Sequence, residues 1–292
     1  MVGRHATPPT AHHPWVTDTG YALLDAGDGR RLERFGPRVL DRPAPGAGGS
    51  RRAAPRWPEA DLTFQTYRGW TGSADPAAAW EVAIEGLRME CRATASGGVG
   101  LYPEHAANLD WLARQVTARA TALEAQPSVL NLFGHTGLVT LAAARAGAAV
   151  AHVDAARTGV AWARANAARN GLADRPIRWL VDDAAAFVER EIRRGRRYDG
   201  VVLDPPAFGH GDGRRWELPE DLPTLLEACA RVAADDAFVL LTAHSTGIEG
   251  LDLGAAVEAA FERRAEARVV PLVVKAESGA RLDLGWAVRL DG

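Results

Sequence analysis

Four places in the chain set polar or conformationally special residues directly after an apolar run. VLNLF runs into GHTG, so that Asn131 to Gly137 make a glycine-containing turn ahead of the apolar stretch LVTLAAARAG. AVAHV ends in Asp154, IRWLV ends in Asp182 and Asp183, and DGVVL ends in Asp204, Pro205 and Pro206, with Phe208 two residues further on. Each residue type has a definite chemistry. A glycine turn lets a ligand approach the backbone and offers unpaired amides at a helix start; the bland alternative is a turn that packs helix on strand. An acid about twenty residues beyond such a turn is placed to accept from the two hydroxyls of a ribose, at ~1.5–3 kcal/mol, or else to cap the following helix. Asp183 has the same two options, an amino group of an adenine or a helix cap, and it lies nearer the loop than Asp182. After Asp204 the two prolines cannot continue a central strand, so the backbone is stopped and stiffened where it leaves the sheet, and Phe208 is available to stack on a planar group.

The elements that position these residues follow from periodicity. From Ser128 onward short β-type runs alternate with helical ones, and Ala106 to Ala122 carries apolar residues at helical spacing. That alternation predicts an α/β fold, a seven-stranded doubly wound sheet with helices on both faces, in which RVVPLVV and LGWAVRL form an antiparallel hairpin at one edge. Ligands of such sheets bind at the carboxyl ends of the strands near the switch in strand order, where the four acid and turn sites fall. Ahead of it, YALLDAG, RLERFG and RVLDRP predict a small β-rich unit, continued by LTFQTYRGW and WEVAIEGLRMECRAT as one strand each. The expected division is a tail over 1–14, a small β-rich domain over 15–102 with an exposed Pro/Gly/Ala-rich loop at 42–58, and a catalytic domain over 103–292.

Composition narrows the function classes. The chain has 292 residues, a net charge of −3 and a pI near 6.3, so its surface as a whole is not a polyanion binder. Local arginine clusters exist, for instance Arg193, Arg194, Arg196 and Arg197, but Lys275 is the only lysine, and GC-rich codon usage accounts for such a bias as well as function does. No apolar run reaches the roughly eighteen residues of a membrane span, and the N-terminus lacks the apolar core of a signal peptide, which suggests a cytoplasmic protein. Cys91 and Cys229 are too few and too far apart for a disulfide framework or a zinc site, and no metal is expected.

An adenosyl ligand at the strand ends leaves two main enzyme classes. A dehydrogenase prefers G-x-G-x-x-G, whereas FGHTG has two glycines, and no G-K-[ST] phosphate loop is present. Methyl transfer from S-adenosylmethionine fits better, since the sulfonium is already activated and alignment does most of the work. The chain resembles the class I S-adenosylmethionine-dependent methyltransferases, and within them the large-subunit 23S ribosomal RNA family that modifies cytosine C5 or guanine N7. The motifs that carry the resemblance are YALLDAGDGRRLERFG, RPAP, GLYPEHAANLDWL, VLNLFGHTG, HVDAARTGVAWARANAARNGL, VDDAAAF and LDPPAFG. It implies that Phe133, Gly134, Thr136, Gly137, Asp154, Asp183 and Asp204 line the cofactor site, with Tyr102 and Glu104 covering it, and that ribosomal RNA is the partner. Two features depart from that family. Its C5-modifying members place a cysteine nucleophile after the fifth strand, where LLTAHSTG has Ser245, and a hydroxyl does not replace a thiolate in adding to cytosine. The first strands also do not match the family's RNA-holding PUA domain. The expectation is therefore methylation of nitrogen or oxygen, with Asp204, Pro205, Pro206 and Phe208 at the acceptor and His244 either moving a proton or satisfied by backbone. His210 and Arg215, in GHGDGRRWELPED, belong either to a substrate lid or to a solvated loop. Small-molecule or protein methylation, a non-catalytic RNA-binding module and a nicotinamide oxidoreductase remain the alternatives.

Overall fold

The computed structural model describes residues 20–211, 214–244, 250–262 and 266–292. The expected tail and Ser245 lie outside these residues, as do the side chains of His210 and Arg215.

The chain begins with a meander, β1 (Tyr21–Gly27), β2 (Arg30–Phe35) and β3 (Arg38–Pro43), followed by β4 (Leu62–Gln65) and β5 (Gly69–Gly72), in one five-stranded sheet of order β1-β2-β3-β4-β5. Asp28 and Gly29 both adopt left-handed φ, of 53° and 70°, the geometry of a two-residue hairpin turn. The same pair of conformations at Glu85 and Gly86 folds β6 (Trp80–Ile84) onto β7 (Leu87–Cys91). LTFQTYRGW and WEVAIEGLRMECRAT are thus hairpins, each broken at a turn, and not single strands. Residues 42–58 are also more ordered than their composition suggests: a 3-10 helix, Ala54–Glu59, buries Trp57, whose indole N–H donates to the buried Asp25 carboxylate at 2.9 Å.

The α/β part runs α1 (Ala106–Leu123), β8 (Ser128–Leu132), α2 (Leu138–Arg145), β9 (Ala149–Asp154), α3 (Arg157–Arg169), β10 (Ile177–Val181), α4 (Ala184–Arg193) and β11 (Tyr198–Leu203). It continues with a hairpin, β12 (Phe208–Gly211) and β13 (Arg214–Glu217), then α5 (Leu218–Val232), β14 (Ala233–Ala243), α6 (Gly250–Phe261), β15 (Arg268–Lys275) and β16 (Arg281–Leu290). The seven-stranded sheet has the order β10-β9-β8-β11-β14-β16-β15; β16 is antiparallel to both neighbours, so the terminal hairpin closes one edge as the pattern predicts. Strand alternation sorts the core. Val129, Val150 and Val202 face an apolar layer with α1 and α2, while Leu130, Val153 and Leu203 face one with α4, α5 and α6. The first layer extends without a break to Phe35 and Leu40 of the five-stranded sheet, and the β6–β7 hairpin is bound to α3 through Asn166 and Asn170, which accept from the amides of Glu90 and Arg88 at 2.9 and 2.8 Å. The turn between β15 and β16 reaches back to β1, where Glu277 and Ser278 donate to the carbonyls of Leu23 and Leu24. No helix among the described residues is long and apolar enough to cross a membrane.

Candidate active site at the strand switch

The order of the sheet reverses between β8 and β11, and the carboxyl ends of these strands open onto a crevice of about 380 Å³. Its walls include Tyr102, His135, Asp154, Asp183, Asp204 and Trp216. A small inner cavity, lined by Asn131, Gly134, Thr136 and Gly137 among others, lies under the turn after β8 and shares Tyr102, Phe133, His135 and Asp204 with the crevice.

The turn after β8 is held in an uncommon conformation. Phe133 and His135 have φ of 57° and 48°, left-handed values that cost non-glycine residues energy and persist where surroundings over-determine them. Gly134 packs on the buried His152, so close that a Cβ there would sit 2.5 Å from the imidazole. Asn131 and Thr136 act beneath the surface. Asn131 donates to Thr140 at 2.7 Å, which in turn meets His152 Nδ1 at 2.8 Å, and the Thr136 hydroxyl donates to the Gly100 carbonyl at 2.5 Å.

Asp154 and Asp183 both face the crevice. Asp154 does not serve as the side-chain cap of α3; its two oxygens accept the amides of His135 and Ala156, each at 2.8 Å, and so tie two strand-end turns together. Asp183 does cap α4, accepting from the Ala186 amide at 2.9 Å. Each carboxylate keeps lone pairs for a hydroxyl or amino group, so a cap and a ligand contact are compatible. Asp182 is instead paired with Arg190.

Asp204 sits between two imidazoles. Its Oδ2 lies 3.1 Å from His105 Nε2 and its Oδ1 lies 3.1 Å from His244 Nε2, while Thr242 donates to Oδ1 at 2.5 Å. Burial alone pushes this carboxyl up, but the charges and hydrogen bonds of His105 and His244 hold it well below the usual carboxylate range. Burial works against a charged His244, yet the Asp204 carboxylate raises that imidazole to about 9. Its other nitrogen, Nδ1, is 2.8 Å from the Leu284 carbonyl and 3.6 Å from Glu104 Oε1. His244 is therefore a fixed imidazolium near neutral pH rather than a group waiting to take a proton. Glu104 is buried behind it, and its Oε2 has no hydrogen-bond partner among the described residues. Tyr102 stacks over His244, with ring centroids 6.2 Å apart, at the mouth.

The aromatic residue expected at the acceptor, Phe208, does not face the crevice. Phe208 is 69% exposed on β12 and lies outside the crevice wall, because it pairs with Glu217 across the hairpin. Trp216, paired with Gly209, takes the inward place; its indole donates to the Pro206 carbonyl at 2.7 Å and its ring leans on Phe133. Pro205 is buried and Pro206 exposed at the rim, and both border the crevice. His105, His135, Trp216 and Thr242 are thus site residues that the sequence pattern did not single out. The one signal that existed was position: His135 is inside the glycine turn, and His105 immediately precedes α1.

Neither cysteine can act in this crevice. Cys91 is buried in β7 with its thiol pushed up by burial, and Cys229 is buried in α5 and pushed up to about 12 for the same reason.

The donor set suits an adenosyl cofactor: acids at the ends of β9 and β10, a glycine-containing turn that lines the inner cavity, and a carboxylate at the end of β11 beside the aromatic wall. A family model described as S-adenosylmethionine-dependent methyltransferase matches residues 65–235. The crystal structure of a SAM-dependent methyltransferase from Agrobacterium tumefaciens is 31% identical, covering 93% of this chain and 90% of that one at a TM-score of 0.85. SMU.776, a provisionally assigned methyltransferase solved with SAH, shares the fold at 16% identity and a TM-score of 0.72, covering 92% of this chain and 75% of that one. Over 140 residues, 48% of this chain, the sequence is 26% identical to YwbD of Bacillus subtilis (strain 168), whose name carries a provisional assignment as a ribosomal RNA large subunit methyltransferase; the match spans 35% of that relative's length. With the family model matching more than half of the chain, this protein belongs to the S-adenosylmethionine-dependent methyltransferases.

Proposed function

We propose that this methyltransferase acts on a base of ribosomal RNA, at nitrogen rather than carbon, in the cytoplasm. The RNA substrate is supported by the similarity to YwbD. The preference for nitrogen is carried by the placement of the chain's two thiols in buried positions outside the crevice, so the thiolate route to carbon-5 of cytosine has no nucleophile. S-adenosylmethionine supplies an activated methyl group. The chain's residues bind and orient: Asp154 takes the ribose hydroxyls, Asp183 the adenine amino group, and Gly134 and Gly137, packed on His152 and Ala163, hold the turn against the inner cavity. Phe133, Trp216 and Tyr102 offer flat apolar faces to a planar base, a contact worth ~1–3 kcal/mol per stacked base. Asp204, held by His105, His244 and Thr242, presents fixed negative charge beside the transfer site.

The test is transfer of labelled methyl to ribosomal RNA from a strain lacking the gene, followed by nucleoside digestion. Label in one N-methylated nucleoside is expected. Label on carbon overturns the nitrogen assignment, and cofactor binding without label in RNA or ribosomal particles overturns the RNA assignment.

A further inference from the structure

Three imidazoles surround the transfer site, and their hydrogen bonding divides the labour among them. Both ring nitrogens of His244 face acceptors, the Asp204 carboxylate at 3.1 Å and the Leu284 carbonyl at 2.8 Å, so neither is open to a substrate proton. His105 gives Nε2 to Asp204 and buries Nδ1 away from solvent. Asp204 already accepts from three donors. His135 differs: among the described residues no side-chain hydrogen bond engages its ring, and it lines both the inner cavity and the crevice. Its backbone is locked in the left-handed region, φ 48°, by donation of its amide to Asp154 Oδ2 at 2.8 Å, and its ring packs 5.2 Å from that of Tyr102.

We infer that His135 is a catalytic residue, the proton acceptor of the crevice, whose open ring nitrogen takes the proton that an N–H substrate must lose on methylation. This rests on the nitrogen substrate proposed above. In the balanced step the substrate nitrogen's lone pair forms the new N–C bond. The methyl carbon's bond to sulfur breaks with its electron pair left on sulfur as a neutral thioether, and the N–H proton passes to His135 and then to water. The surroundings favour a neutral ring. The groups facing it are Asp154 at the end of β9, Asp204 at the end of β11, Tyr102 and His105 ahead of α1, and the buried His152 of β9 beneath the turn. Burial is the strongest influence and lowers its pKa, the two carboxylates oppose that, and His105 adds to it. A neutral imidazole can accept a proton, and an imidazolium such as His244 cannot.

His135→Asn tests the role, because asparagine tolerates the left-handed backbone while lacking a basic nitrogen. The expected result is single-turnover methyl transfer to the ribosomal RNA that falls at least about tenfold at pH 7 at saturating cofactor. The acid-side dependence of the rate below about pH 6.5 should disappear, and affinity for S-adenosylhomocysteine by calorimetry should stay within about threefold. His135→Gly, equally at ease at this φ, should recover activity with added imidazole. In the S-adenosylhomocysteine complex of the full chain, the His135 ring followed by NMR should titrate below 6.5. An unchanged rate, a loss confined to cofactor affinity, absence of imidazole rescue, or a His135 ring that titrates above 6.5 in the complex each overturns the inference. Should the wild type label no RNA, the substrate proposal fails by itself, and the NMR titration still decides whether His135 is an open, neutral base.

Discussion

Replacing Asp204 by asparagine removes the charge on which His244 depends while keeping the shape of the side chain. His244 stands at about 9 because the carboxylate lies 3.1 Å from its Nε2, against burial that favours the neutral ring. Without that charge its midpoint should fall toward the ordinary imidazole range, with Glu104 and the Leu284 carbonyl left as the remaining influences that raise it. A group raised from 6.5 in the unfolded chain to about 9 in the folded one stabilises the fold fully below pH 6.5 and loses that contribution as pH rises through 9. The interval corresponds to about 3 kcal/mol, and partial solvent contact of the imidazole reduces it to roughly 2 kcal/mol. Denaturant unfolding of wild type and Asp204→Asn at pH 6 and pH 10, with the His244 ring followed by NMR, reads both quantities. The variant should be less stable at pH 6, the gap should narrow at pH 10, and the His244 midpoint should fall. An unchanged midpoint in the variant would refute the coupling and with it the fixed imidazolium.

Other perturbations separate ligand contacts from packing. Asp154→Ala should weaken cofactor binding by about ten- to hundredfold in calorimetry, from loss of ~1.5–3 kcal/mol, and should loosen the turn that His135 anchors. Gly134→Ala drives a methyl group to 2.5 Å from the His152 ring and should cost roughly 1–3 kcal/mol in unfolding experiments; a change under about 0.5 kcal/mol would mean the turn can shift at little cost. Trp216→Ala should lower methyl transfer, whereas Phe208→Ala should change stability by no more than about 0.5 kcal/mol and leave cofactor affinity intact. His152 is buried and held down to about 3, chiefly by burial, so it stays neutral in the fold while the unfolded chain takes up its proton; stability should fall as pH drops from 6.5 toward 3, visible as an acid-side decline in the denaturant midpoint that His152→Gln flattens.

The parts of the site legible in the sequence are those fixed by chain-local geometry. Strand-to-helix alternation put Asp154, Asp183 and Asp204 at the ends of three strands, and a doubly wound sheet gathers such ends at its switch whatever the loops do. Side-chain direction beyond a strand end was not legible. Phe208 and Trp216 differ in which face of a short hairpin they occupy, and that depends on a register set by a turn, which one residue of slip would invert. The partnership of His105 with Asp204 joins residues 99 apart through the docking of the segment before α1, a tertiary contact with no local periodicity behind it. The ordered stretch at 54–59 was hidden for a similar reason: Pro, Gly and Ala suggest a loop, and the burial of Trp57 depends on the distant Asp25, Leu24 and Leu32 of the first two strands.

The central claim is that methyl transfer takes place in the crevice between β8 and β11. The most direct measurement is a crystal structure of the full chain with S-adenosylhomocysteine. The account predicts ribose hydroxyls on Asp154, the adenine amino group at Asp183, and the thioether sulfur facing Asp204 and the open ring of His135. Density for the ligand elsewhere, or an adenosine that leaves Asp154 and Asp183 uncontacted, would contradict it.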